Sequence, residues 1–133
     1  MFKFFLKEEI ERSLEGVRRQ YLVGELERPQ TIRELVTPEL EIGITSYIDF
    51  HSEPAHYHTI STEYQYVISG WTQYMDVETK EVFEFREGDF YAIYPNTKYA
   101  QKSKPGTTIL FIKVPSVRDK TISEVDAAVA EWL

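Results

Sequence analysis

The chain has 133 residues, 15 Lys and Arg against 22 Asp and Glu, a formal charge of −7 and no cysteine. That length suits one domain with its own core, and the missing cysteine excludes disulfides, thiolate zinc sites and thiol nucleophiles. The acidic balance disfavours nucleic acid, whose phosphates call for Lys and Arg, and it disfavours anionic membranes equally. No apolar run approaches the roughly 20 residues of a membrane span. Lys7, Glu8 and Glu9 interrupt the first apolar patch before a signal-peptide core can form. The expectation is a cytoplasmic protein that takes a small-molecule ligand, with no nucleic acid and no membrane as partner.

Along the chain, Phe2, Leu6, Ile10 and Leu14 fall at helical spacing, Glu8 and Arg12 form an i,i+4 pair, and Gly16 ends the segment. Residues 19–27 and 31–36 read as strands broken by Pro29, either at a sheet edge or on an arm that reaches a second subunit. Residues 1–38 therefore read as a helix and arm belonging to the same domain. From residue 39 to 116 the pattern is short strands separated by turns at Pro54, Thr79-Lys80, REGD, PNTK and Pro105-Gly106. Closely spaced strands with such punctuation predict an all-β barrel or sandwich. Residues 117–133 close with a helix over 121–132. Thr121 and Glu124 form a capping box there, and Ile122, Val125, Val129 and Trp132 form an apolar stripe.

The three histidines of the chain, His51, His56 and His58, lie within eight residues. On a strand, His56 and His58 share one face and Tyr57 takes the other. Glu63 opens the next run, where alternation puts it on one face with Gln65 and Val67. Two imidazoles and a carboxylate can converge as a facial triad with open positions for water or substrate. His51, placed by Pro54 in a loop at the barrel mouth, is either a solvated histidine or a rim acid or base titrating near neutral pH. Tyr74 and Tyr91 are possible pocket neighbours, able to bond hydroxyls or move a proton.

The run His56-x-His58-x4-Glu63-x6-Gly70 resembles the first conserved motif of the cupin superfamily. The run from Gly88-Asp89 through Pro95 and Asn96 resembles the second. Asn96 stands where that family has glycine, which asparagine can replace in a left-handed turn. Tyr99 stands where the family has its third metal histidine. The resemblance implies a double-stranded β-helix (jelly-roll) barrel with short N- and C-terminal helices, and a divalent metal, Zn, Fe, Ni or Mn, on His56, His58 and Glu63. It leaves open whether Tyr99 or Gln101 completes the set, or whether the site has become a plain ligand pocket. Among resembling families, sugar isomerases, epimerases and lyases lead, with Tyr99 or His51 as the proton-moving group and Gln65, Tyr74, Tyr91 and Gln101 lining the substrate pocket. The alternatives are an Fe(II)-dependent dioxygenase and a non-catalytic module that binds a small ligand. A homodimer is also expected from the resemblance.

Overall fold

Alternating side chains bury one face of a strand and leave the other outward. In the computed structural model, which describes residues 1–133, ten such strands form two antiparallel sheets. One sheet has the order β1-β2-β9-β4-β7, from β1 (Arg19–Val23), β2 (Glu41–Tyr47), β9 (Thr107–Val114), β4 (Thr62–Ser69) and β7 (Phe90–Ile93). The other has the order β10-β3-β8-β5-β6, from β10 (Lys120–Ile122), β3 (His51–His58), β8 (Tyr99–Ser103), β5 (Trp71–Asp76) and β6 (Val82–Arg86). Their inner faces enclose a cavity, as expected of the double-stranded β-helix. The sheets cross the expected segment boundaries at 38 and 116, because β1 and β10 are built into the barrel.

Two glycines are placed by close approach. A Cβ on Gly43 would lie 2.3 Å from Cζ of Phe111, the side chain opposite it on β9. At Gly70 φ is +87°, and a Cβ would lie 2.5 Å from Cα of Thr107. Asn96 adopts the left-handed conformation expected of it, at φ 65°. A second core forms outside the β10-β3-β8-β5-β6 sheet. There Val129 of α2 (Ala127–Trp132) is fully buried with Ala55, Met75, Val77 and Ala100. No helix of the chain is long and apolar enough to cross a membrane.

The termini differ from the sequence expectation. The N-terminal helix is only α1 (Lys7–Ser13), and its i,i+4 ion pair is Lys7–Glu11 at 3.7 Å rather than Glu8–Arg12. So short a helix depends on tertiary packing, and Ser13 is its one buried residue. Of the two arm strands, only Arg19–Val23 forms. It pairs with β2 of its own chain, and Leu35 adds a single bridge to Val23. Gln30 bonds the Tyr21 N–H and C=O at 2.9 and 2.5 Å, so the outer edge of β1 is closed by the chain itself. The capping box does not form, since Thr121 is drawn into β10 opposite Tyr57. The helix starts later, at Ala127, where the Asp126 side chain accepts from the Val129 N–H at 3.0 Å.

Candidate functional site

His56 and His58 project inward from the end of β3, both buried. Their rings are perpendicular with centroids 5.5 Å apart. The strand reaches this placement through a bulge between Glu53 and His56. Pro54 has no N–H to give to a ladder, so a bulge there is the inexpensive choice. The Pro54 carbonyl then accepts the His56 Nδ1–H at 2.9 Å. Nδ1–H of His58 donates to Asp119 Oδ1 at 2.9 Å. Both rings therefore direct Nε2 away from their supports, the arrangement by which second-layer acceptors fix the tautomer of ligating histidines.

Glu63 meets them from β4. Its Oε1 lies 2.6 Å from His58 Nε2, while its Oε2 accepts from Gln65 Nε2 at 2.9 Å and from the Tyr99 hydroxyl at 3.3 Å. Burial favours the neutral form of His58, but Glu63 and Asp119 outweigh it and raise its pKa above the ordinary histidine value. Burial lowers that of His56. Glu63 is held below the usual carboxylate range by His58 and His56, against the effect of its burial. Asp119 is likewise buried, yet it is held far down by the N–H groups of Ser61 and Ile60 and by His58 and Lys113.

No three His, Asp or Glu side chains are spaced as a preformed metal cage. The 2.6 Å contact between His58 and Glu63 is a charge-assisted hydrogen bond that closes the gap between them. An ion about 2.1 Å from both atoms needs them about 3 Å apart or more, a shift of a few tenths of an ångström. The donor chemistry fits a divalent ion: two imidazoles supported at Nδ1 and one ionised carboxylate.

The remaining expected residues divide. Tyr99 sits opposite His56 on β8, its ring 4.5 Å from the imidazole. Burial and the nearby Glu63 charge push its phenol well above the ordinary tyrosine value, so it is a neutral hydrogen-bond donor to Glu63. Gln65 is gripped from behind: Tyr74 and Tyr91 both donate to its Oε1, at 3.0 and 2.9 Å. That fixes the amide so that its NH₂ faces Glu63. Gln101 lines the same cavity, but its Nε2 is held by Thr72 and Ser103 at 3.1 and 3.3 Å.

His51 is not a loop residue at the mouth. It begins β3, stacks on Tyr47 at 5.6 Å and does not line the cavity of about 510 Å³ that holds His56, His58 and Glu63. Five residues of strand, about 16 Å, separate it from His56, so it stands apart from the triad. The sequence reading missed Asp119, and it missed Arg19 and Glu53, which pair at 3.4 Å on the cavity wall.

No family model matches the sequence, and no curated protein matches it. Solved structures do match in fold. KdgF from Halomonas sp. is 17% identical with a TM-score of 0.63, over 90% of this chain and 97% of that one. An RmlC-like cupin protein from Desulfovibrio desulfuricans is 14% identical with a TM-score of 0.59, over 88% and 99%. The Streptomyces nucleoside dehydratase Pac13 is 17% identical with a TM-score of 0.58, over 69% and 74%.

Proposed function

Because the chain folds as a cupin barrel, we propose that it holds one divalent metal ion on His56, His58 and Glu63. We further propose that it acts on a small polar metabolite, a sugar or sugar derivative, by isomerase-, epimerase- or lyase-like chemistry. The observation that carries this reading is the engagement of both imidazole Nδ1 atoms by Pro54 and Asp119, which turns both Nε2 atoms away from those supports, that of His58 onto Glu63. A bound divalent ion supplies Lewis-acid polarisation of a substrate oxygen. Tyr99, neutral and hydrogen-bonded to Glu63, is the group placed to exchange a proton with substrate. Gln65 keeps the carboxylate aimed. The cavity of about 510 Å³ is the size of a small-metabolite pocket, and Pac13, of similar fold, is a nucleoside dehydratase.

The contact of His58 with both Glu63 and Asp119 favours a second reading, in which a proton rather than a metal sits between His58 and Glu63 and the pocket binds its ligand without metal. Elemental analysis of tag-free protein, beside His58→Ala, separates the two. Near-stoichiometric Zn, Ni or Mn in the wild type and none in the variant supports the proposal. Iron together with oxygen consumption turns it toward a dioxygenase. Wild-type protein that is metal-free and refuses added metal rules the metal reading out.

A further inference from the structure

The cavity that holds the triad also holds a cation that the proposed chemistry does not use. Arg19 stands on β1 opposite Thr45 and lines that cavity. Its Nε donates to Thr45 Oγ1 at 2.9 Å, its guanidinium carbon lies 5.4 Å from the centroid of the Phe111 ring, and Nη2 donates to Glu53 Oε1 at 3.4 Å. Residues of β2, β9 and β3 therefore fix one side chain. A guanidinium that is filled by a carboxylate makes two parallel bonds of about 2.7–2.9 Å. The Glu53 contact is single and longer, so the fork is not filled. With 38% of the side chain exposed, it is reachable from the cavity. Other cations on the wall are engaged: Lys113 pairs with Asp119 and Arg118 with Glu27, each at 3.1 Å. Arg28 and Lys120 line the cavity as well, without a comparable set of supports.

We propose that Arg19 determines specificity at this site by anchoring an anionic group, carboxylate or phosphate, of a substrate whose reacting oxygen reaches the triad. The proposal rests on the reading of the cavity as a small-metabolite site, and it narrows that class to acids. The register sets the separation. Glu53 is level with Gln101 on β8 and His56 with Tyr99, so the two levels are about 7 Å apart along the strand. Phe111, beneath the guanidinium, is opposite Gln65, and Gln65 bonds Glu63. The cation and the triad thus lie about the length of a small metabolite apart. The planar fork of arginine matches the oxygens of a carboxylate or a phosphate, and a site built to bond such a group discriminates against an analogue that lacks it. Glu53 is the internal competitor, because an incoming anion takes N–H groups from the same guanidinium.

The test is titration calorimetry of the protein as purified with D-glucose, D-glucuronate and D-glucose 6-phosphate, which share a ring and differ only at the sixth carbon. At least one of the two acids is expected to bind about 10- to 100-fold more tightly than glucose, and which one does so tells carboxylate from phosphate. Arg19→Gln is expected to remove that preference, and Arg19→Lys to restore part of it. Glu53→Gln removes the competitor and is expected to bind the acid about 2- to 5-fold more tightly, a gain that a purely structural ion pair does not give. Far-UV circular dichroism checks folding, and if Arg19→Gln does not fold, Glu53→Gln decides. Wild-type protein with no preference for either acid, or a preference that Arg19→Gln leaves intact, overturns the proposal. So does a preference lost in His58→Ala, which would place the acid on the metal. Metal-free protein that prefers the acid through Arg19 keeps this anchor and removes the metal reading, while metal-loaded protein without the preference does the reverse.

Discussion

Asp119 holds the His58 ring at Nδ1. Its Oδ1 holds Nδ1 of His58, its Oδ2 accepts the N–H groups of Ile60 and Ser61 at 2.8 and 2.7 Å, and Lys113 lies 3.1 Å away. The carboxylate is thus fixed before it fixes the ring. Asp119→Asn keeps the shape and removes the charge, and it is expected to weaken Zn²⁺ binding about 10- to 100-fold, measured by titration calorimetry, while His58→Ala abolishes it. An unchanged affinity in Asp119→Asn would show that the aspartate supports the loop and not the ligand. Gln65 makes a second case. Gln65→Leu leaves two buried phenols with only each other, 2.6 Å apart, and takes one donor from Glu63. Unsatisfied buried groups of this kind cost about 1–3 kcal/mol, read as a lower urea midpoint at an unchanged slope, and Gln65→Glu is not expected to repair it. The inward triad was legible because period-two alternation and an eight-residue window contain it. Asp119 was not, since it lies 61 residues from His58 in sequence and meets it only after the chain has returned past β9. His51 was misplaced because the reading took Pro54 as a break. It is a bulge within one strand, which puts His51 and His56 at opposite ends of β3.

The helix α2 shows how a short element survives. Six residues cannot hold a helix by propensity. What holds this one is Val129, inserted with no exposure among Ala55, Met75, Val77 and Ala100, and the Asp126 cap. Lys80 pairs with Asp126 at 2.6 Å and ties the cap to the β5–β6 turn. Val129→Ala removes two buried methyl groups and is expected to cost about 2 kcal/mol, seen in denaturant unfolding. Val125→Ala, at an exposed position outside the helix, is expected within about 0.5 kcal/mol of wild type. Equal losses in the two would show that the stripe packs as a whole. The same element explains what was readable at this scale. Barrel strands carry alternation and sharp turn residues, so their order was plain from residue 39 onward. The termini carry helical spacing too, yet spacing does not say whether a surface exists to receive it. Phe2 and Leu6 have none on their own barrel, and Thr121 had a better partner in β3 than in a helix.

For the molecule as a whole, the site and the fold are thermodynamically linked, because the pocket walls come from both sheets: His56 and His58 from one, Glu63 from the other. The triad exists only when the sheets are packed, so an ion bound to it stabilises the folded chain over the unfolded one. At a free metal concentration one hundred times Kd the gain is about 2.7 kcal/mol. For a chain of this length, with an unfolding entropy of roughly 2 cal/mol/K per residue, that raises Tm by roughly 10 °C. Thermal unfolding of protein stripped with chelator and then reloaded with Zn²⁺ or Mn²⁺ reads the shift directly. His58→Ala is expected to show none at the same metal concentration, while the stripped wild type and the variant melt through one cooperative transition each. The size of the shift should grow by about 1.4 kcal/mol for every tenfold rise in free metal above Kd, which distinguishes one tight interior site from weak binding to the acidic surface. A shift of equal size in His58→Ala would place the metal on surface carboxylates and leave the space between the sheets to the His58–Glu63 proton.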